Sequence, residues 1–333
     1  MKTISRRLVV AAAVLAASCA QVPLASQATV AGHVADAERF AGDDLKPLLA
    51  LCKPAPATRP SQEQVDKLLA TQIARPAPEP GRAFDNLYFV GAAWVSAWVI
   101  KTSEGLILID ALNNDDEAKR LVDSGMRRLG LDPAEIRYVI VTHAHGDHYG
   151  GLPYLSARYQ PRIVMSEDDW EQAEGTLEFD SPLWGRPPKF DPARDVKARD
   201  GDELVLGDTA VAIHTTPGHT HGTVSLVFDV TQGGQTHRAL LWGGTAFNFG
   251  KDLPRLQSYI DATGKMTRIA QRQDIDVMIS NHAGYDSAPQ KLDALRTGAT
   301  ANPFVIGEEA VIRSLKTMGA CARAQYDRFA LGI

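Results

Sequence analysis

Residues 142–151 read Thr-His-Ala-His-Gly-Asp-His-Tyr-Gly-Gly, which sets His143, His145, Asp147 and His148 within six positions. Neutral imidazole and carboxylate are natural ligands of zinc, and histidine is otherwise scarce, at nine in 333 residues. Packing does not account for that concentration. In a loop leaving a strand end, His143 and His145 point to one side while Asp147 and His148 reach a second position, so one motif serves two metals. Water bridging two cations has its pKa lowered toward neutrality, and a cation beside it polarises a scissile carbonyl. The chemistry indicated is hydrolysis. Covalent serine catalysis has no support, because no serine is followed by lysine three residues later and no Gly-x-Ser-x-Gly occurs.

The elements that must hold these residues are legible nearby. Residues 136–141, apolar except for Arg137, predict a short, largely buried strand that delivers the motif. Before it, residues 87–90, 96–102 and 106–110 predict strands, with Ser103-Glu104-Gly105 as a turn, and residues 115–129 a helix stopped by Gly130. Two further histidines follow comparable apolar runs: His219 within Thr216-Pro217-Gly218-His219-Thr220-His221-Gly222-Thr223, and His282 within Ser280-Asn281-His282 after residues 277–279. Upstream, residues 34–52 and 62–74 have helix-like spacing between proline-rich stretches, and no chemistry is read there. The segment 174–199, with Phe179, Trp184 and several prolines, either borders the pocket or packs Trp184 on the core.

His-x-His-x-Asp-His after an apolar strand, then Pro-Gly-His-Thr, then Asn-His, resembles the metallo-β-lactamase superfamily over about residues 86–324. The resemblance implies an α/β (α+β) fold: an αββα sandwich of two mixed β-sheets flanked by helices, with the metals at one edge. It assigns His143, His145 and His219 to one zinc ion and Asp147, His148 and His282 to another, with Asp147 also catalytic. Asp110, at the end of the strand 106–110, matches a family aspartate supporting the metal loop; Thr245 and Asn281 join it as substrate-facing or supporting residues. Thioesterases and many lactonases of the family carry a bridging aspartate where this chain has Gly243-Gly244-Thr245. That departure makes it most similar to class B, subclass 3 β-lactamases, with Thr245 standing for serine. Opening of a β-lactam ring, and hence antibiotic resistance, is the expected function. Hydrolysis of lactones, other esters or thioesters is the alternative, and a non-catalytic periplasmic zinc-binding protein the remaining one.

Composition agrees with an exported enzyme acting on a small molecule. A net charge of -5 with no basic block argues against nucleic acid. Residues 1–20 have the charged, apolar and small-residue parts of a cleaved signal peptide; residues 21–83 read as an extension and 84–333 as the hydrolase domain. Cys19 resembles a lipoprotein acylation site, and no other stretch is long enough to span a bilayer. The expected location is periplasmic or secreted, with a lipid anchor as one possibility, and the expected state a monomer. Cys52 and Cys321 are then the cysteines left to form a disulfide. Of the other histidines, His221 is expected to face solvent and His214 to pack in a strand, while His33 and His237 stand apart from every motif.

Overall fold

The computed structural model describes residues 25–333, so the expected signal segment and Cys19 lie outside the described residues. A seven-stranded sheet holds β1 (Gly81–Arg82), β2 (Leu87–Phe89), β3 (Trp98–Thr102), β4 (Gly105–Ile109), β5 (Ile136–Ile140), β6 (Arg162–Ser166) and β7 (Val196–Ala198) in sequence order. A five-stranded sheet holds β8 (Glu203–Leu206), β9 (Thr209–Thr215), β10 (Val224–Gln232), β11 (Gln235–Trp242) and β12 (Val277–Ser280). Both are mixed. Strands β4 to β7 run parallel, as do β11 and β12, and the remaining neighbours are antiparallel.

Side chains alternate across a strand, and where helices cover the outer face of a sheet both faces of a strand are apolar, as in β4. In β4, Ile107 and Ile109 enter the core between the sheets, with Trp98, Leu226, Phe228 and Leu241. Leu106 and Leu108 face outward, against Met126, Leu155 and Trp170 from the helical layer. The other sheet turns Leu240 and Trp242 outward onto a second helical layer. The result is the αββα sandwich.

Helices α1 (Gln27–Ala41) and α2 (Gln62–Ile73) come from the extension; α3 (Leu152–Tyr159), α4 (Glu167–Glu174), α5 (Leu253–Gln273) and α6 (Glu308–Leu331) flank the sheets. Two expected helices are interrupted. The first ends at Gly42, whose φ of 54° only glycine adopts cheaply, and resumes as a 3-10 helix, Lys46–Cys52, with Pro47 near its start. The second contains a π-helical stretch, Ala118–Asp123, between Asp115–Glu117 and Ser124–Arg128. No helix among the described residues is long and apolar enough to cross a membrane.

The extension is part of the core. Ala37, Leu48 and Leu51 pack with Val311, Leu315 and Met318 of α6, and Cys52 is disulfide-bonded to Cys321, 269 residues away. Thiol titration of denatured, unreduced protein is expected to find neither cysteine free. Replacing both with serine is expected to cost about 2–5 kcal/mol in denaturant unfolding.

Candidate metal centre

Strand β4 ends at Asp110, a non-glycine residue with φ of 61°, and its carboxylate is completely buried. Parallel pairing places the ends of β4 and β5 side by side. The Asp110 carboxylate accepts the Thr142 N–H at 2.7 Å, the Thr142 hydroxyl at 2.9 Å and the His148 Nδ1–H at 2.7 Å. This fixes the histidine loop where it leaves β5. One helical turn, Gly146–Tyr149, then presents Asp147 and His148. Gly146 makes the turn possible: a Cβ there would lie 2.2 Å from the Trp184 ring, whose N–H donates to Asn113 Oδ1.

The second sheet brings the other histidines to the same edge. Val224 N–H donates to Thr142 O, joining β10 to the loop, and Asn281 donates to both Thr142 Oγ1 and Gly243 O. His143, His145 and His219 converge with one ring nitrogen each within 4.8 Å of one another, and so do ligand atoms of Asp147, His148 and His282. The two clusters adjoin. His143 and His148 ring centroids are 4.1 Å apart, and Asp147 Oδ2 lies 3.4 Å from His148 Nε2 and 3.7 Å from His282 Nε2.

Hydrogen bonds assign each imidazole its tautomer, because a carbonyl or carboxylate can only accept. His143 Nδ1–H donates to Gly243 O, His219 Nδ1–H to Ala246 O and His282 Nδ1–H to Trp94 O. His148 Nδ1–H is taken by Asp110, and His145 is held the other way round, with Nε2 3.4 Å from Glu178 Oε2. The remaining nitrogens therefore aim lone pairs into the clusters. His143 Nε2 and His145 Nδ1 face each other at 3.1 Å, and His148 Nε2 is buried without a hydrogen bond. Opposed lone pairs repel and a buried unpaired nitrogen is costly, so the donor set fits a divalent cation in each cluster.

The electrostatics describe the same site. Burial, reinforced by surrounding imidazoles, holds His143 and His219 well below the ordinary histidine range and brings His282 to about 4. Neutral rings are what a metal requires. Burial opposes the charges of Asp147 and His148, but their mutual attraction prevails: Asp147 stays low, and His148, with Asp110 beside it, rises to about 10. The two carboxylates thus favour a positive charge at His148 Nε2, and a bound cation would supply it in place of the second proton.

Comparison with known proteins fits this geometry. Residues 92–232 match the family model described as the metallo-beta-lactamase superfamily. A subclass B3 metallo-β-lactamase, BJP-1 of Bradyrhizobium japonicum, superposes with a TM-score of 0.61 at 27% identity, over 72% of this chain and 90% of that one. The chain is similar to the metallo-β-lactamase superfamily over residues 92–232 and in its fold. FEZ-1 of Legionella gormanii shares the fold, with a TM-score of 0.61 at 22% identity, over 72% of this chain and 94% of that one. Among curated relatives, a hydroxyacylglutathione hydrolase of Rhodopseudomonas palustris is 33% identical over 112 residues, 34% of each chain. An N-acyl homoserine lactonase of a Bacillus species is 27% identical over 183 residues, 48% of this chain and 68% of that one. The chain thus spans about a third of the length of the first curated relatives it matches.

Several residues that hold the candidate site carried no signal in the sequence. Glu178 orients His145, and is itself gripped by the buried Arg255 through two bonds, of 2.5 and 2.7 Å, and by Arg59 at 3.2 Å. Arg255 also donates to Gly218 O and His219 O, so one guanidinium serves both histidine loops. Asp169 joins the same loops by accepting from Ala144 N–H, Thr220 Oγ1–H and Gly222 N–H. Its acidic cluster reads in sequence only as the first turn of α4.

The other singled-out residues divide. Trp184 borders the cleft and Phe179 stacks edge-on against His145. Asp110 and Asn281 lie beside the histidine loop, whereas Thr245 lines an adjoining apolar cavity and leaves its hydroxyl without a partner. His221 is exposed and outside the cleft, and His214 is half-buried in β9. His33 and His237 lie near Asp327 and Asp276, away from the site. Gly146→Ala is expected to destabilise the protein by about 1–3 kcal/mol through overpacking against Trp184. The second change Trp184→Ala should remove most of that penalty in a double-mutant cycle read by denaturant unfolding.

Proposed function

We propose that this protein is an exported dinuclear zinc hydrolase that opens β-lactam rings, with His143, His145 and His219 holding one ion and Asp147, His148 and His282 the other. Zinc there would supply Lewis acidity toward the scissile carbonyl and lower the pKa of water in the cleft. Asp147 orients the attacking water and takes its proton, then returns it toward the departing amide nitrogen. His145 keeps its ligating nitrogen aimed because Glu178 fixes the ring, and Asp110 does the same for His148. The disulfide and the expected signal favour a periplasmic or secreted location.

The observation that carries the β-lactam reading is the end of β11. A Cβ at Gly243 would lie 1.7 Å from Val224 O, and one at Gly244 2.7 Å from the His219 Cβ. Neither position has room for a carboxylate, and Thr245 faces the adjoining cavity. Without a bridging aspartate a second cation held by Asp147, His148 and His282 would be free to stabilise a leaving amide nitrogen, which needs that help more than a thiolate does. Sequence likeness to the hydroxyacylglutathione hydrolase and the lactonase favours thioester or lactone hydrolysis as the second reading.

Elemental analysis of zinc-reconstituted protein is expected to find about two ions per chain, and His282→Ala about one. Chelation should abolish turnover. In kcat/KM measured at one zinc concentration, carbapenems or cephalosporins should exceed lactones and thioesters. A preference of roughly a hundredfold in the opposite direction, about 2.7 kcal/mol, would transfer the assignment to those substrates.

A further inference from the structure

The metal site opens into a cleft of about 500 Å³, and one wall of that cleft is α2, from the extension in which the sequence shows no chemistry. Val65, Leu68, Leu69, Gln72 and Arg75 line it. Their spacing of three, four, seven and ten residues makes a single stripe along the helix and its end. Leu68 is 55% exposed, one of four large apolar side chains left in water among the described residues. It faces the cavity that contains His145, Asp147, His219 and His282, with Trp94 and Trp184 also on the lining.

Charge is distributed unevenly in this cleft. Among the described residues lining it, Arg75 is the only lysine or arginine. Its guanidinium is exposed and bonds to Gln72 Oε1 at 2.9 Å. The helix is also firmly seated. Ser181 Oγ–H donates to Asp66 Oδ1 at 2.6 Å, Gln62 donates to Asp180 O, and Lys251 N–H donates to Ala57 O just upstream. Arg59, on the same approach, pairs with the Glu178 that orients His145. The stripe therefore stands at a set position relative to the histidines.

We propose that α2 is the recognition wall of the cleft: Val65, Leu68 and Leu69 hold an apolar acyl substituent, and Arg75, steadied by Gln72, takes a substrate carboxylate. This rests on the β-lactam reading and narrows it to anionic β-lactams with an apolar acyl side chain, of which benzylpenicillin is the probe. A cation matched to a carboxylate and apolar surface matched to a ring act alike in ground and transition states, so they lower KM more than they raise kcat.

The test compares zinc-loaded wild type, Arg75→Gln and Leu68→Ser; both side chains are exposed, so the fold tolerates the changes. Two quantities are read: kcat and KM for benzylpenicillin, and the Kd of hydrolysed benzylpenicillin from quenching of tryptophan fluorescence, since Trp94 and Trp184 line the cleft. Each variant is expected to raise KM and Kd about tenfold while kcat stays within about threefold. Unchanged KM and Kd in both variants would overturn the wall and leave the hydrolase reading intact. Wild type that turns over no β-lactam, yet binds the probe and loses that binding in both variants, would overturn the reaction and support the wall. Absence of binding by wild type would overturn the wall.

Discussion

The Asp110 carboxylate sits at the end of a buried strand, shut off from water, at a backbone conformation that side chains other than glycine adopt only at a cost. Its three hydrogen bonds compensate for its burial, and each constrains the site. The two from Thr142 set where the loop leaves β5. The third sets the His148 tautomer, and so decides that Nε2 faces Asp147 and His282. The five imidazoles then have one nitrogen apiece committed to the protein and one turned inward. Such an arrangement is unfavourable as bare protein and favourable around cations, which is why the geometry itself argues for metal.

Two sheets must meet to complete the donor set, and their junction is built from close backbone approaches. Val224 donates to Thr142, and Gly243 and Gly244 lie where any side chain would collide with Val224, His219 or Thr223. Asp169 and Arg255 span the loops from the two halves with charge-assisted hydrogen bonds. Burial raises Asp169 to about 6, with its bonds to Thr220, Ala144 and Gly222 opposing that rise. These contacts leave the histidine loops little freedom, and ligands held in advance need less reorganisation when a cation binds.

The extension is joined to this edge by covalent and ionic links. The Cys52–Cys321 bond anchors it on α6, and residues 57–66 then run past Lys251, Glu178 and Ser181 before α2 reaches the cleft. Arg59, Glu178, Arg255 and His145 form one chain of contacts from the extension to a metal-ligand candidate. These contacts link the extension to the candidate metal centre.

By itself the sequence pointed to a candidate metal site and determined the layers of the fold. Histidines clustered at the ends of apolar strands cannot be satisfied by packing there, whereas a cation satisfies them, and strands apolar on both faces require helices on both sides. Residues 136–141 and 277–279 were readable as strands for that reason; the six candidate donors came from the family resemblance, and the fold brings them into two adjoining clusters. Tertiary structure alone decided what surrounds the donors. Glu178, Arg255 and Asp169 are ordinary charged residues of a loop and two helices, and their roles come from partners 25 to 77 positions away. The break at Gly42 and the π-helical turn near Ala118 were missed because apolar periodicity marks a buried face and not the hydrogen-bond register beneath it. Gly146 has a packing reason only beside Trp184, and the apolar stripe of α2 gains a role only where it meets the cleft. Both depend on long-range packing, which brings together segments whose local patterns carry no record of one another.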